Sequence, residues 1–118
     1  MKVIYLAHPI RDSRGFWFHQ QNIRRAERIA LELWLMGFAV ICPGKNTEFM
    51  DGAAKDDVWL KGDLEILKRC DLVVMAPGWQ QSVGAKAERL QAVAHEKPVY
   101  FWPADADRLK ELHGKAHV

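Results

Sequence analysis

Two carboxylates stand where the sequence could support nucleophilic or acid–base chemistry, and Glu88 is the first. It lies six residues after Ser82, a residue type that favours the start of a helix, in a segment that includes Gly84. Small residues there would let a ligand approach the helix start closely, and a carboxylate near the positive end of a helix is favoured electrostatically. The same pattern fits a solvent-facing glutamate on an amphipathic helix. Spacing alone therefore leaves both interpretations of Glu88 open.

Asp63 is the second carboxylate, and it borders the apolar stripe of a predicted helix. Leu60, Ile66 and Leu67 lie three or four residues from it along the chain. A carboxylate in that position must find a partner, stay partly hydrated or remain protonated. Gly62 beside it leaves room for a ligand. We interpret Asp63 as a candidate acid–base group, and the structural alternative is a side chain that reaches water at the edge of the stripe.

A candidate phosphate site follows the first predicted strand, where Arg11, Ser13 and Arg14 precede a helix. Backbone N–H groups at a helix start favour an anion, and guanidinium groups add bidentate phosphate contacts. Ser82 could donate to the same anion from the facing helix start. The alternative is a pair of solvated arginines. The loop lacks the glycine patterns of dinucleotide and P-loop sites, so those two classes of ligand are disfavoured.

Aromatic side chains could stack on a flat ligand such as a nucleobase. The candidates are Tyr5, Trp79 and Trp17, and His8 lies at the mouth of the first strand. Core packing explains Tyr5 equally well, whereas Trp79 is expected to contact a ligand or a neighbouring subunit. We predict no metal and no cofactor, because the five histidines lack metal-ligand spacing. These are His8, His19, His95, His113 and His117.

Alternating apolar strands and amphipathic helices must position these residues. The strands are predicted at 3–7, 38–42, 72–75 and 99–102, and the helices at 16–36, 57–69, 83–96 and 105–112. This alternation predicts an α/β fold, a flavodoxin- or Rossmann-like parallel sheet in the order 2-1-3-4 with helices on both faces. Ligands then bind at the carboxyl ends of strands 1 and 3, where the loops 8–15 and 76–82 fall. The long polar loop 43–56 flanks them, Asp56 or Asp57 is expected to cap the second helix at its start, and Asp71 is expected to cap its end.

Composition limits the class of protein. The chain has 118 residues, which we interpret as a single domain over 1–118, and its net charge of +2 makes a nucleic-acid partner unlikely on electrostatic grounds. Five tryptophans are more than so small a domain can bury, which predicts a pocket or subunit contact and a homo-oligomer. Cys42 and Cys70 form neither a disulfide framework nor a zinc ribbon. With no apolar run of membrane-spanning length, we expect a cytoplasmic protein.

Three blocks of sequence together resemble the nucleoside 2-deoxyribosyltransferase-like superfamily. The resemblance extends over about residues 3 to 102 and is carried by residues 4–11, by residues 59–63 with 70–74, and by residues 78–88 with 95–99. That superfamily includes the transferases and the 2′-deoxynucleoside 5′-monophosphate N-glycosidases. The third block is the most specific, and it is most similar to short relatives from bacteria and phages.

The resemblance implies a role for each matching residue. Glu88 matches the nucleophile, which would attack C1′ of the deoxyribose and form a covalent glycosyl-enzyme. Asp63 matches a carboxylate that helps to protonate the leaving base, and Tyr5 matches a tyrosine near the sugar. Arg11 and Ser82 match positions that hold the 5′-phosphate. Water as acceptor would give hydrolysis, and a second base would give transfer.

The chain also departs from the superfamily. His8 replaces a small residue, which would narrow the pocket or change its substrate, and the segment after Trp102 is short. These departures are the reason to keep an alternative, a non-catalytic nucleotide-binding module with the same fold. A third possibility, nucleic-acid contact through Arg24, Arg25 and Arg28, is opposed by the small net charge.

We expect cleavage or exchange of an N-glycosidic bond, with a nucleoside or nucleotide as the small-molecule partner. Besides the three catalytic candidates, the predicted substrate-binding residues are His8, Arg11, Ser13, Trp79, Ser82 and Gly84.

Overall fold

The computed structural model describes residues 1–116, and it describes side chains for residues 1–112. The strands are β1 (Val3–Ala7), β2 (Ala39–Ile41), β3 (Leu72–Met75) and β4 (Val99–Phe101). The helices are α1 (Phe16–Leu35), α2 (Pro43–Asn46), α3 (Asp56–Lys68), α4 (Val83–Ala94) and α5 (Ala106–Ala116). A 3₁₀ turn at Trp79–Gln81 precedes α4. The side chains of His113 and His117, included in the histidine-spacing argument, lie outside the described residues.

The four strands form one parallel sheet in the order β2-β1-β3-β4, which confirms the predicted α/β fold. Tyr5 pairs with Ile41 on one side and with Val73 on the other. The two central strands are buried almost throughout, because helices cover both faces of the sheet. Within residues 1–116, no helix is both long and apolar enough to cross a membrane.

Alternation along β1 sends successive side chains to opposite faces of the sheet. Ile4 and Leu6 pack on the face that α1 and α5 cover, where Leu109 also lies. Tyr5 and Ala7 pack on the other face, together with residues of α3 and α4. The alternation of side chains along β1 therefore places Tyr5 against α4 rather than α1.

The structure corrects several predicted boundaries. The second strand has three residues rather than five, and the predicted loop 43–56 begins with the short helix α2. Lys55 precedes α3, and it makes no side-chain cap. Asp56 and Asp57 instead lie in the first helical turn, where negative charge favours the helix dipole.

Two polar residues near strand and helix ends act locally. Ser82 caps α4 as predicted, because its Oγ accepts a hydrogen bond from the N–H of Ala85 at 3.1 Å. Asp71 does not cap the end of α3 as predicted. Its Oδ2 accepts a hydrogen bond from the N–H of Val3 at 2.7 Å, and so it fixes the start of β1.

Candidate active site

A tyrosine and a glutamate meet beneath the start of α4. The hydroxyl of Tyr5 donates a hydrogen bond to Oε2 of Glu88. Tyr5 is fully buried in β1, and Glu88, in the second turn of α4, is 6% exposed. Ala85 and Ala92 on the same helix are also buried, so their small side chains let α4 pack close to the sheet. This packing holds the carboxylate against the strand.

Asp63 joins this pair from α3, which packs against α4. Its carboxylate is partly buried, and burial raises its pKa to about 6. Burial also raises the pKa of Glu88, to about 8; the hydrogen bond from Tyr5 opposes this shift and the negative charge of Asp63 adds to it. Burial and then the charge of Glu88 raise the pKa of the Tyr5 hydroxyl far above its ordinary value. Tyr5 is therefore a neutral donor at every physiological pH.

These pKa values distribute one proton between two carboxyl groups at neutral pH. At pH 7, a pKa of about 8 favours the proton on Glu88, and a pKa of about 6 favours an ionised Asp63. Pairs of carboxyls whose pKa values differ in this way are typical of acid–base sites. We refer to Tyr5, Asp63 and Glu88 as the carboxylate cluster.

His8 serves as a packing residue between β1 and α2. Its Nδ1 donates to the carbonyl of Pro9 at 2.9 Å, and its Nε2 accepts from the N–H of Gly44 at 3.2 Å. Burial lowers the pKa of His8 to about 4, so the ring is neutral at physiological pH. A Cβ atom at Gly44 would lie 2.6 Å from Cε1 of His8, which explains the glycine there. Both ring nitrogens of His8 thus have hydrogen-bond partners within the polypeptide.

Arg11 already has carboxylate partners in this structure. Its Nη2 lies 2.6 Å from Asp51 and 2.7 Å from Asp56, so it ties the loop after β1 to the start of α3. Arg14 pairs with Asp12 at 2.7 Å, and hydrogen bonds from Arg14 lower the pKa of Asp12 to about 2. The predicted phosphate ligand would compete with acidic side chains at Arg11.

A cavity of about 580 Å³ opens beside the same edge of the sheet, on the α1 side. Of the predicted substrate-binding residues, His8, Arg11 and Ser82 line it. The remaining candidates do not line it; they are Tyr5, Ser13, Asp63, Trp79, Gly84 and Glu88. The structure therefore divides the predicted residues between the carboxylate cluster on one face and the cavity on the other, with the cap of α4 between them.

Three other candidates lie at the periphery. Ser13 is exposed in the loop after β1, and Gly84 is exposed with open space where a Cβ would lie. Trp79 has intramolecular partners: its ring centroid lies 5.7 Å from that of Phe101, and the guanidinium of Arg89 lies 5.3 Å from the Trp79 ring. Packing within the chain therefore accounts for the partly buried position of Trp79.

Sequence reasoning missed two features of this edge. Gly44 is the close neighbour of His8, and a glycine at the start of the polar loop gave no sign of that contact. Arg25 and Arg28 line the cavity, although sequence reasoning considered them only for contact with nucleic acid. Their spacing of three residues would have shown that they share one helix face. Within the described residues, no group of three or more His, Cys, Asp or Glu side chains could hold a metal ion.

Comparisons with known proteins connect this site to a family. The sequence profile of DUF1937, a domain of unknown function, matches residues 2–104. A solved 2-deoxyribosyltransferase of Bacillus psychrosaccharolyticus is 22% identical with a TM-score of 0.58, over 84% of this chain and 70% of that chain. The solved CMP N-glycosidase BcmB of Clostridium botulinum is 27% identical with a TM-score of 0.57, over 85% of this chain and 67% of that chain. No curated protein sequence matches the chain.

Proposed function

Since the chain belongs to the DUF1937 family and to the nucleoside 2-deoxyribosyltransferase-like superfamily, we propose that it cleaves or exchanges the N-glycosidic bond of a 2′-deoxynucleoside or its 5′-monophosphate. The two structural neighbours are named as a 2-deoxyribosyltransferase and a CMP N-glycosidase, and their likeness supports an enzyme of N-glycosidic cleavage or transfer in general. The observation that carries the proposal is the buried contact between Tyr5 and Glu88, with Asp63 close enough to act on both.

Glu88 is the proposed nucleophile. Its carboxylate oxygen forms a bond to C1′ of the sugar while the bond from C1′ to the base nitrogen breaks, and the electron pair leaves with the base. Asp63 delivers a proton to that base. In the second step, water or another base attacks C1′ and gives up a proton to the now ionised Asp63, the bond from C1′ to Glu88 breaks, and the carboxylate is restored. Water gives hydrolysis, and a base gives transfer.

The proton on the carboxylate cluster must move for this chemistry to start. Burial raises the pKa of Glu88 more than that of Asp63, so attack by Glu88 requires its proton to pass to Asp63. The positive charge that develops on the sugar in the transition state stabilises an ionised Glu88. The hydrogen bond from Tyr5 favours the same ionised form.

The decisive experiment combines substrates with a matched pair of variants. The protein is incubated with 2′-deoxynucleosides and their 5′-monophosphates, with and without an acceptor base, and products are separated by chromatography. The site variant is Glu88→Gln, and the control is Glu32→Gln, since Glu32 is exposed on α1. We expect wild type and control to release free base or form a new nucleoside, and Glu88→Gln to do neither. Full activity of Glu88→Gln would exclude the proposed nucleophile.

A second function, a nucleotide-binding module without turnover, is favoured by one observation. Tyr5 is 0% exposed and Glu88 is 6% exposed, so a sugar reaches the carboxylate only after side chains move. This alternative predicts that nucleotides raise the melting temperature while no base is released. A mass increase of intact protein by one deoxyribosyl group, absent from Glu88→Gln, would exclude it.

We also propose that the chain assembles as a homo-oligomer of single-domain subunits spanning residues 1–118. Apolar side chains are exposed along one side of α4, where Val83 is 82% and Leu90 is 63% exposed. Trp17 and Trp34 on α1 are 64% and 51% exposed, and each indole offers a large apolar surface to a neighbouring subunit. Light scattering after size exclusion measures the mass, and a monomer at micromolar concentration would contradict this proposal.

A further inference from the structure

The cavity on the α1 side of the sheet has a charge that the carboxylate cluster does not explain. Four guanidinium groups line it, and they belong to Arg11, Arg14, Arg25 and Arg28. Among the described residues, Asp12 is the one carboxylate in its lining. A cavity of about 580 Å³ lies within the range that holds small ligands, roughly 300–1,000 Å³.

Within the described side chains, two of the four arginines form no close ion pair. Arg11 pairs with Asp51 and Asp56, and Arg14 pairs with Asp12. Among the described side chains, no carboxylate pairs with Arg25 or Arg28. Arg28 therefore faces the cavity without a close counter-charge from the described side chains, whereas the guanidinium of Arg25 lies near enough to Asp12 to help lower the pKa of that carboxyl.

The arrangement of the arginines spreads the charge around the cavity. Arg25 and Arg28 are three residues apart on α1, so they lie side by side on one helix face. Arg11 and Arg14 belong to the loop between β1 and α1. Donors placed on two walls suit an anion with several phosphoryl groups better than a single phosphate, since each group can meet its own guanidinium.

The remaining wall is apolar. Trp102 follows β4 and is half-buried against the core on the α1 side, and Pro103 extends the same wall. An indole beside guanidinium groups provides a surface for a flat ring next to phosphate contacts. The polar side chains of Asn22 and Gln81 complete the lining with hydrogen-bonding groups.

We propose that this cavity binds the oligophosphate group of a nucleoside di- or triphosphate through Arg25 and Arg28. The ligand has two possible sources. It is either the phosphate chain of a substrate that has more phosphates than the 5′-monophosphate, reaching past Ser82 from the carboxylate cluster, or a separate nucleotide that binds only here. The first source rests on the proposed function, and the second does not.

Direct binding tests the cavity without turnover. Inorganic tripolyphosphate and 2′-deoxyadenosine triphosphate are titrated by calorimetry into Glu88→Gln protein, which keeps the cavity and lacks the proposed nucleophile. The same background then carries Arg25→Gln/Arg28→Gln. The matched control is Lys68→Gln/Arg69→Gln, which removes the same charge from exposed positions at the end of α3. Arg25→Lys/Arg28→Lys keeps the positive charge but replaces the planar guanidinium groups, and with them their paired N–H donors.

We expect the arginine-to-glutamine pair to weaken binding of both probes by about tenfold or more, because each loses charge-assisted hydrogen bonds. The control pair keeps the affinity of its parent, the lysine pair is intermediate, and binding by the parent weakens as salt rises. No binding of either probe at millimolar concentration, or equal losses in the arginine and control pairs, would overturn the proposal. Since no turnover is measured, an inactive enzyme leaves this result unchanged.

Turnover by wild type then identifies the source. If the cavity holds the phosphate chain of the substrate, tripolyphosphate competes with phosphorylated substrates and not with nucleosides. If it holds a separate nucleotide, tripolyphosphate changes the turnover of a nucleoside as well. If tripolyphosphate binds but changes the turnover of neither phosphorylated substrates nor nucleosides, both proposed sources of the ligand are excluded.

Discussion

The hydroxyl of Tyr5 and the carboxylate of Glu88 are joined by a buried hydrogen bond that spans 83 residues of sequence. Neither group is close to water, so each depends on the other for its polar contact. Asp63 adds a second carboxyl group to the same buried region. The predictions that follow start from this contact.

Replacement of Tyr5 by Phe removes the one hydroxyl that stabilises an ionised Glu88. We expect kcat/KM to fall by about 10- to 100-fold, the worth of a hydrogen bond to a charged group. The pKa of Glu88 rises further, so the rising limb of the pH–rate profile moves to higher pH. Steady-state kinetics from pH 5 to 9 measures both effects. An unchanged profile would show that Tyr5 only packs.

Folding stability depends on pH through Glu88. Its pKa is about 8 in the folded protein, above its ordinary value of 4.5, so the folded state binds the proton more tightly. The unfolded chain releases that proton near pH 4.5, and stability is therefore lost as pH rises toward 8, by roughly a few kcal/mol. Asp63 acts in the same direction between 3.8 and about 6.

Glu88→Gln tests this linkage because a neutral amide cannot ionise. We expect the loss of stability between pH 5 and pH 8, measured by urea unfolding, to be smaller in Glu88→Gln than in wild type or Glu32→Gln. Equal slopes in all three proteins would contradict the burial effect assigned to Glu88.

Replacement of Asp63 by Asn tests proton delivery to the base. We expect the rate of base release to fall by about 10²- to 10⁴-fold, the usual contribution of a general acid. The loss should be smaller for substrates whose base leaves without protonation. Rates for a series of bases with different leaving-group ability measure this dependence. A uniform loss across the series would assign Asp63 a positioning role.

Replacement of Gly44 by Ala should disturb the packing of His8. The added Cβ would lie 2.6 Å from the imidazole ring, and overpacking of this kind costs about 1–3 kcal/mol. The matched control is Gly62→Ala in α3, where no atom lies within 4 Å and alanine favours the helix by about 0.5–1 kcal/mol. Thermal unfolding should show a lower melting temperature for Gly44→Ala and no loss for Gly62→Ala. Equal stability of the two variants would contradict the contact.

Much of the fold could be predicted from the sequence, and the reason is physical. Strands buried on both faces are continuous apolar runs, so β1 and β3 were predicted with their observed ends. Ser82 caps α4 as expected, because capping is decided by residues three positions apart. The helix α2 was missed since it has four residues and begins at a proline in a polar loop.

The candidate site was less predictable, because its contacts join residues far apart in sequence. Local spacing could not reveal that Asp51 and Asp56 pair with Arg11, although all three positions are charged. It could not place Arg25 and Arg28 at a cavity, since an exposed helix face that lines a cavity has the same polar pattern as one that faces bulk water. The roles of Glu88, Asp63 and Tyr5 stay predictions from resemblance until variants are measured.

The alternation of side chains along β1 gives the strand an odd and an even register. The odd position Tyr5 belongs to the carboxylate cluster, and the even positions Leu6 and His8 belong to the side of α1 and α2. A single-residue insertion early in β1 would move each of these side chains to the opposite face of the sheet, while the strand would stay apolar and able to pair. We expect the sheet still to form after such an insertion, whereas the carboxylate cluster would lose Tyr5. The register of this five-residue strand is therefore needed for the site more than for the fold.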